Sequence, residues 1–165
     1  MKTIRKISVI IFGLLILVWP ITGFSLEVGD VMPDFVVETL GGETISSSEI
    51  KGRHPVMLVF WATWCPNCKR EIPHINELFS EFGSQGMRFL GINVGVNDSA
   101  KKAARYVKKY KVKYPIVFDE GSKVTRSFGV QGTPTIIIAD REGIVRYHGF
   151  NVPDDMDSHF EQLTK

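Results

Sequence analysis

Phe60-Trp61-Ala62-Thr63-Trp64-Cys65-Pro66-Asn67-Cys68 (FWATWCPNC, residues 60–68) holds both cysteines of the chain, two residues apart. The pair stands where two patterns meet. Before it, Val56 to Trp61 (VMLVFW) is a continuous apolar run, which suits a strand covered on both faces by helices. After it, Ile72, Ile75, Leu78, Phe79 and Phe82 recur three or four residues apart and predict a helix. Cys65-Pro66 opens that helix, and Pro66 suits its first position, where the missing N–H costs nothing. Pro73 predicts a kink. Gly83 and Gly86 predict the helix end.

Disulfide exchange needs a thiolate that attacks and a second thiol that resolves the mixed disulfide. A two-residue gap at a helix start puts both sulfurs within bonding range and makes them unequal. The first cysteine meets the free N–H groups and the positive end of the helix dipole, which stabilise a thiolate. We therefore read Cys65 as the nucleophile and Cys68 as the resolving thiol, one turn in and more covered. Lys69 and Arg70 add positive charge nearby, and Trp64 offers an apolar platform beside the sulfur. A purely structural disulfide closing so short a loop adds little stability. One CxxC supplies two zinc ligands where four are wanted. His54, His74, His148 and His159 are scattered without ligand spacing and read as surface or packing residues. No cofactor is expected beyond the redox-active pair itself.

Outward from this centre, the pattern alternates. Phe35 and Val37 suggest a short lead-in strand, Gly41-Gly42 a turn, and Thr44-Ile45 its hairpin partner. Ser46 to Glu49 looks like a helix start. Met87 to Val94 is a second buried strand, and Ser99 caps a helix over Ala100 to Lys111. In that helix Ala100, Ala103, Ala104, Val107 and Tyr110 share one side. Lys101, Lys102, Arg105, Lys108 and Lys109 form a stripe of roughly 120° on another. Such a stripe is a solvated helix face in the first instance, or else a dock for an acidic partner or lipid headgroups. Tyr114 to Asp119 is a strand, Ser122 to Phe128 a short helix, and Thr135 to Ala139 a strand. Asp140 to Gly143 then turns into the strand Ile144 to Gly149, and Asp154 to Leu163 closes the chain as a helix. The order predicts an α/β domain with a central mixed β-sheet flanked by helices.

The first 25 residues read differently. Lys2, Arg5 and Lys6 precede the apolar run Ile7 to Trp19, the order of an export signal. Gly23 and Ser25 suit cleavage after Ser25. Alternatively, Ile7 to Leu26 is 20 residues, enough for an uncleaved membrane anchor, although Pro20 weakens its end. The expected division is residues 1–25 as signal peptide or N-terminal anchor and 26–165 as one folded domain. Either form places the domain outside the cytoplasm, periplasmic if the cell has an outer membrane, with membrane contact confined to residues 7–26. Formal charge is +2 over the whole chain, but residues 26–165 carry 17 basic and 18 acidic groups. That balance gives no reason to expect a nucleic-acid partner.

FWATWCPNC resembles the active-site motif of the thioredoxin superfamily. With VGDVMPDFVVETLGGE, VMLVFW, GINVGVN and GVQGTPT, the resemblance extends over residues 27–165 to the exported TlpA/ResA-like branch, which includes reductases of cytochrome c maturation. It implies a thioredoxin fold with an N-terminal β-hairpin extension and an inserted βα unit at about Gly95–Asp119. It also implies that Pro134 is a cis-proline facing the cysteines, and that Thr133 offers its backbone to substrate. Thr133, Pro134, Trp64 and Pro66 are thus the expected substrate-contacting residues. Two positions depart from the family. Val59 stands where thioredoxins bury an aspartate, and Val96 where relatives place a glutamate. Cys68 is left without an assigned proton partner among these, with Asn97, Asp98 or water next in line.

The expected function is thiol–disulfide oxidoreduction on exported proteins, apocytochrome c among them, with a membrane thiol donor restoring the dithiol. An oxidase or isomerase would use the same cysteines in the other direction. A non-catalytic haem, copper or apoprotein-binding module would not need them. A peroxidase of the same fold would need Thr-x-x-Cys, whereas Thr63 stands two residues before Cys65.

Overall fold

The computed structural model describes residues 26–163. The expected signal or anchor lies outside them except for Leu26. That residue is fully buried, and its carbonyl lies 2.6 Å from Nδ1 of His148, so it belongs to the folded domain and not to a membrane span. No helix among the described residues is long and apolar enough to cross a membrane.

Thirteen short elements follow in chain order, and twelve carry labels. They are β1 (Val36–Glu38), β2 (Thr44–Ser46), α1 (Ser47–Ile50), β3 (Val56–Trp61), α2 (Pro66–Phe82) and β4 (Arg88–Asn93). The second half contains α3 (Ala100–Tyr110), β5 (Ile116–Phe118), a 3-10 turn (Glu120–Ser122), α4 (Lys123–Ser127), β6 (Thr135–Ala139), β7 (Val145–Gly149) and α5 (Met156–Leu163). Five strands form one sheet in the order β5-β4-β3-β6-β7, and β1 and β2 form a separate antiparallel hairpin. β3 pairs parallel with β4 and antiparallel with β6, and β4 pairs parallel with β5. β7 runs antiparallel to β6. The sheet is therefore mixed, with its antiparallel part supplied by the last two strands, and the stretch around 95–119 holds α3 and β5.

β3 is the central strand, and all six of its residues are buried, as an unbroken apolar run requires. Its pairing fixes direction. Val56 stands opposite Ala139 and Arg88, while Trp61 stands opposite Asn93. The C-terminal ends of β3 and β4 thus meet at one end of the sheet, where the loops carrying Cys65 and Val96 emerge. The Asp140–Gly143 turn lies at the other end.

α2 buries Cys68, Ile72, Ile75, Leu78 and Phe82, one helical face. The helix continues through Pro73, which is exposed. α3 begins at Ser99, whose Oγ accepts from the backbone N–H of Lys102 at 3.3 Å. Its inward face is narrower than the sequence pattern. Ala103 is buried and Tyr106, Val107 and Tyr110 are half-buried, but Ala100 and Ala104 face solvent. Tyr106 makes its inward contact with Trp61 of β3, ring centroids 5.1 Å apart.

Candidate active site

The disulfide sits at the N-terminus of α2. Cys65 is the N-cap residue, in extended conformation, and Pro66 follows at the start of the helix. Cys65 and Cys68 are disulfide-bonded with Cα atoms 5.3 Å apart. The backbone N–H of Cys68 donates to Sγ of Cys65 at 3.1 Å. A helix-end N–H aimed at sulfur favours the thiolate over the thiol when the bond opens. In the oxidised pair the expected difference in cover is absent: Cys65 is 4% exposed and Cys68 5%.

The dipeptide and the cations after it are held by local contacts. Nη2 of Arg70 donates to Oδ1 of Asn67 at 2.7 Å. Nζ of Lys69 turns away to lie 5.0 Å from the ring centroid of Tyr110 on α3. Both cations are exposed, so they act on the sulfurs through solvent.

Trp64 projects into solvent, 54% exposed, and its Nε1–H donates to the carbonyl of Val96 at 2.8 Å. With Val96, Val130 and Thr133 it lines a shallow apolar groove. The Thr133–Pro134 peptide bond is cis. Thr133 faces the groove, and Pro134 lines a separate narrow cleft shared with Cys68. The fold thus brings Trp64 from one loop, and Thr133 and Pro134 from another distant in sequence, to the neighbourhood of the sulfurs.

The two positions lacking a carboxylate fall in different places. Val59 is buried in β3 and lines the cleft beside Cys68. Val96 is 47% exposed on the groove. Of the two neighbours considered in their stead, Asn97 is exposed with φ 53°. Asp98 is a brace. Its Oδ2 accepts from the backbone N–H of Thr63 at 2.8 Å and from Nδ2 of Asn93 at 2.9 Å, and Oδ1 accepts from the N–H of Ser99. Partial burial pushes its carboxyl up, but the hydrogen bonds from Asn93, Thr63 and Ser99 together outweigh this and hold it below its ordinary value. Engaged by three donors, Asp98 serves as a structural acceptor.

A carboxylate does lie on the cleft. Glu71, three residues beyond Cys68 on α2, is half-buried and lines the same cleft as Cys68, Val59 and Pro134. The sequence contained the signal, since positions three apart share a helix face. Glu71 was hidden among the polar positions of an amphipathic helix. Two buried donors, Nε1 of Trp61 and Oη of Tyr106, line the cleft without a protein partner. Burial, and then Tyr110, push the Tyr106 hydroxyl up to about 12, so it keeps its proton.

The histidines do not converge. His54 contacts the carbonyl of Gly86, His148 that of Leu26, and the ring of His159 packs edge-on to Tyr147. Among the described residues no three of His, Cys, Asp and Glu are placed to hold a metal ion.

Comparison with known proteins places this geometry. Residues 28–148 match the AhpC/TSA family. The chain is 36% identical over 138 residues to the thiol-disulfide oxidoreductase ResA of Halalkalibacterium halodurans, covering 83% of this chain and 77% of that protein. It is 31% identical over 142 residues to the ResA of Bacillus thuringiensis subsp. konkukian, covering 85% and 80%. Among solved structures it is similar to a putative thiol:disulfide interchange protein DsbE from Chlorobium tepidum, with a TM-score of 0.72 and 27% identity over 84% of this chain and 96% of that one. With a bonded CxxC pair capping the helix after the central strand of a thioredoxin-like sheet, the chain belongs to the AhpC/TSA family as a thiol–disulfide oxidoreductase of the ResA/DsbE type.

Proposed function

We propose that this oxidoreductase works outside the cytoplasm as a reductant of disulfides in exported proteins, apocytochrome c among them. Residues 1–25 carry the chain across or into the membrane, and residues 26–165 are the working domain. The observation that carries the reading is the 3.1 Å hydrogen bond from the Cys68 N–H to Sγ of Cys65 at a helix N-terminus. In the reduced protein that environment makes Cys65 the thiolate.

The Cys65 thiolate attacks one sulfur of the substrate disulfide. A mixed disulfide forms and one substrate thiolate leaves. Cys68 then loses its proton and attacks Sγ of Cys65. The mixed bond breaks, the second substrate thiolate leaves, and the Cys65–Cys68 disulfide forms. Two electrons have passed to the substrate, and a membrane dithiol restores the pair by the same exchange in reverse. Glu71, on the cleft beside Cys68, takes the proton that Cys68 gives up. Thr133, Pro134, Trp64 and Pro66 form the wall against which an extended substrate segment lies.

Equilibration with glutathione redox buffers tests the direction. A reductant has a potential near that of thioredoxin, about −270 mV; a value near about −120 mV marks an oxidant instead. Cys68→Ser should trap mixed disulfides with substrate, and Cys65→Ser should abolish reduction. Full turnover by either variant would end the exchange reading.

A further inference from the structure

We infer that the basic face of α3 is a docking surface for an acidic segment of the protein whose disulfide is exchanged. The inference rests on the exchange function proposed above and names the chemistry of its partner. Lys101, Lys102, Arg105, Lys108 and Lys109 all project into solvent from α3, and Lys111 and Lys113 follow. From Ser99 to Phe118 there is no aspartate or glutamate. Among the described residues the side-chain ion pairs are Lys51–Asp34 and Arg146–Asp140, and neither touches this face.

The arrangement works against the helix that carries it. Lys101 and Arg105 repel across one turn, and so do Arg105 and Lys109. Lys101 and Lys102 lie in the first turn, where the helix dipole is already positive and where no acidic residue offsets it. Lys108 and Lys109 are well placed at the other end, but the first-turn cations gain nothing from folding. Local choices that oppose the fold mark positions kept for another purpose.

Position says what the purpose is. Thr63, Lys102, Arg105, Tyr106, Lys109 and Tyr110 line one open basin. Thr63 is two residues before Cys65, and its backbone is fixed by Asp98. Nζ of Lys69 and Nζ of Lys109 lie 5.0 and 5.3 Å from the centroid of the Tyr110 ring. Lys69 directly follows Cys68, so the α3 stripe and the start of the catalytic helix form one positive surface. The apolar groove begins at the neighbouring Trp64. A partner that laid apolar residues in the groove and acidic ones in the basin would bring a disulfide between them onto Cys65.

Other polyanions fit less well. An anionic membrane covering the basin would also cover Thr63 and Lys69 and close the approach to the disulfide. A nucleic acid would meet a domain of net charge −1 over residues 26–165. Only a short acidic segment profits from a patch whose field fades within about 8 Å at physiological salt.

The experiment uses the reduced full-length protein and three synthetic disulfide peptides identical but for their flanks, which are glutamate, serine or lysine. Second-order reduction rates are measured from low to high salt. The glutamate peptide should react about tenfold faster than the serine peptide at low salt, the lysine peptide slower still, and salt should compress the series. In Lys102→Glu/Arg105→Glu/Lys109→Glu the preference should vanish or invert. Arg141→Glu, a single charge reversal at the far end of the sheet, should keep it. Equal rates for the glutamate and serine peptides with the wild type, or a preference that survives the triple variant, would overturn the docking surface. So would rates indifferent to peptide charge together with sedimentation on phosphatidylserine vesicles that the triple variant loses, since the face would then serve lipid. If the wild type reduces no peptide at all, the exchange function itself fails. Should the triple variant not fold, the salt dependence of the wild type across the three peptides still decides the matter.

Discussion

In the proposed cycle Cys68 loses a proton each time it resolves a mixed disulfide, and Glu71 lies on its cleft, where Oε2 accepts from the backbone N–H of Val152 at 3.5 Å. Both lie on one face of α2 and line one cleft, with Val59 where a carboxylate from β3 would otherwise stand. Asp98 is the nearer candidate by sequence. Its acceptor sites, however, are taken by Thr63, Asn93 and Ser99, which makes it structural. Glu71→Gln keeps the shape and removes the base. The expected result is a loss of about 10²-fold in the rate of mixed-disulfide resolution, at the low end of general-base contributions. The first step, alkylation of Cys65, should hold its pH profile. Stopped-flow rates of mixed-disulfide resolution, compared between wild type and variant at one neutral pH, read this loss. A variant that resolves at the wild-type rate would leave water as the acceptor.

The loop from Val94 to Ser99 is the element that ties the site to the sheet, and it does so through Asn93 and Asp98. Asn93 is fully buried, and its amide spans Asp98 on one side and the N–H of Gly95 on the other. Gly95 has φ 72°, and a Cβ there would overlap the carbonyl of Asp119, so the loop passes too close to β5 for any other residue. Asp98→Ala strips the acceptor from the buried Asn93 amide and from Thr63, at a cost of about 1–3 kcal/mol. The sign with pH follows from the lowered carboxyl. Its stabilisation is fully present above the unfolded value of about 3.9 and is lost as pH falls through the folded one. The gap between wild type and Asp98→Ala in urea unfolding should therefore be full at neutral pH and shrink toward pH 3. A gap independent of pH would remove the brace from the argument. Elements of this kind mark the limit of what the sequence discloses. The apolar runs of β3, β4 and β6, the Ser99 cap and the CPNC helix start are local patterns, and they were legible to within a residue or two. The Trp64–Val96 contact, the Asp98 brace and the cleft face of Glu71 depend on how distant loops meet. Periodicity cannot show that Ala100 and Ala104 face water, because it says which residues share a side and not how wide the surface beneath them is.

At the scale of the whole molecule, the lead-in before β3 is part of the core. Its first half joins the β7 edge of the sheet. Val31 bridges Ile144, and the N–H groups of Gly29 and Met32 donate to the carbonyls of Val145 and Gly143. Its second half joins the opposite edge, where Thr39 bridges Val117 and the N–H of Leu40 donates to the carbonyl of Ile116. Both edges of a five-stranded sheet are thereby covered by one segment, which blunts edge-to-edge association. Along this lead-in Leu26, Met32, Phe35 and Val37 are buried, and the ring of Phe35 lies 6.0 Å from that of Phe128, itself 5.5 Å from Phe60 of β3. Each such side chain contributes about 1.5–3 kcal/mol when fully buried. Four together amount to about 6–12 kcal/mol, comparable with the entire stability of a typical domain, about 5–15 kcal/mol. A chain starting at Leu26 should therefore unfold cooperatively, with the urea midpoint of the full-length protein. A chain starting at Ser47 should lose near-UV circular dichroism and associate through its bared edges, as seen in sedimentation velocity. If the Ser47 chain remained a cooperatively unfolding monomer, the lead-in would be an appendage, and the CxxC helix would be held by the sheet and its own helices alone.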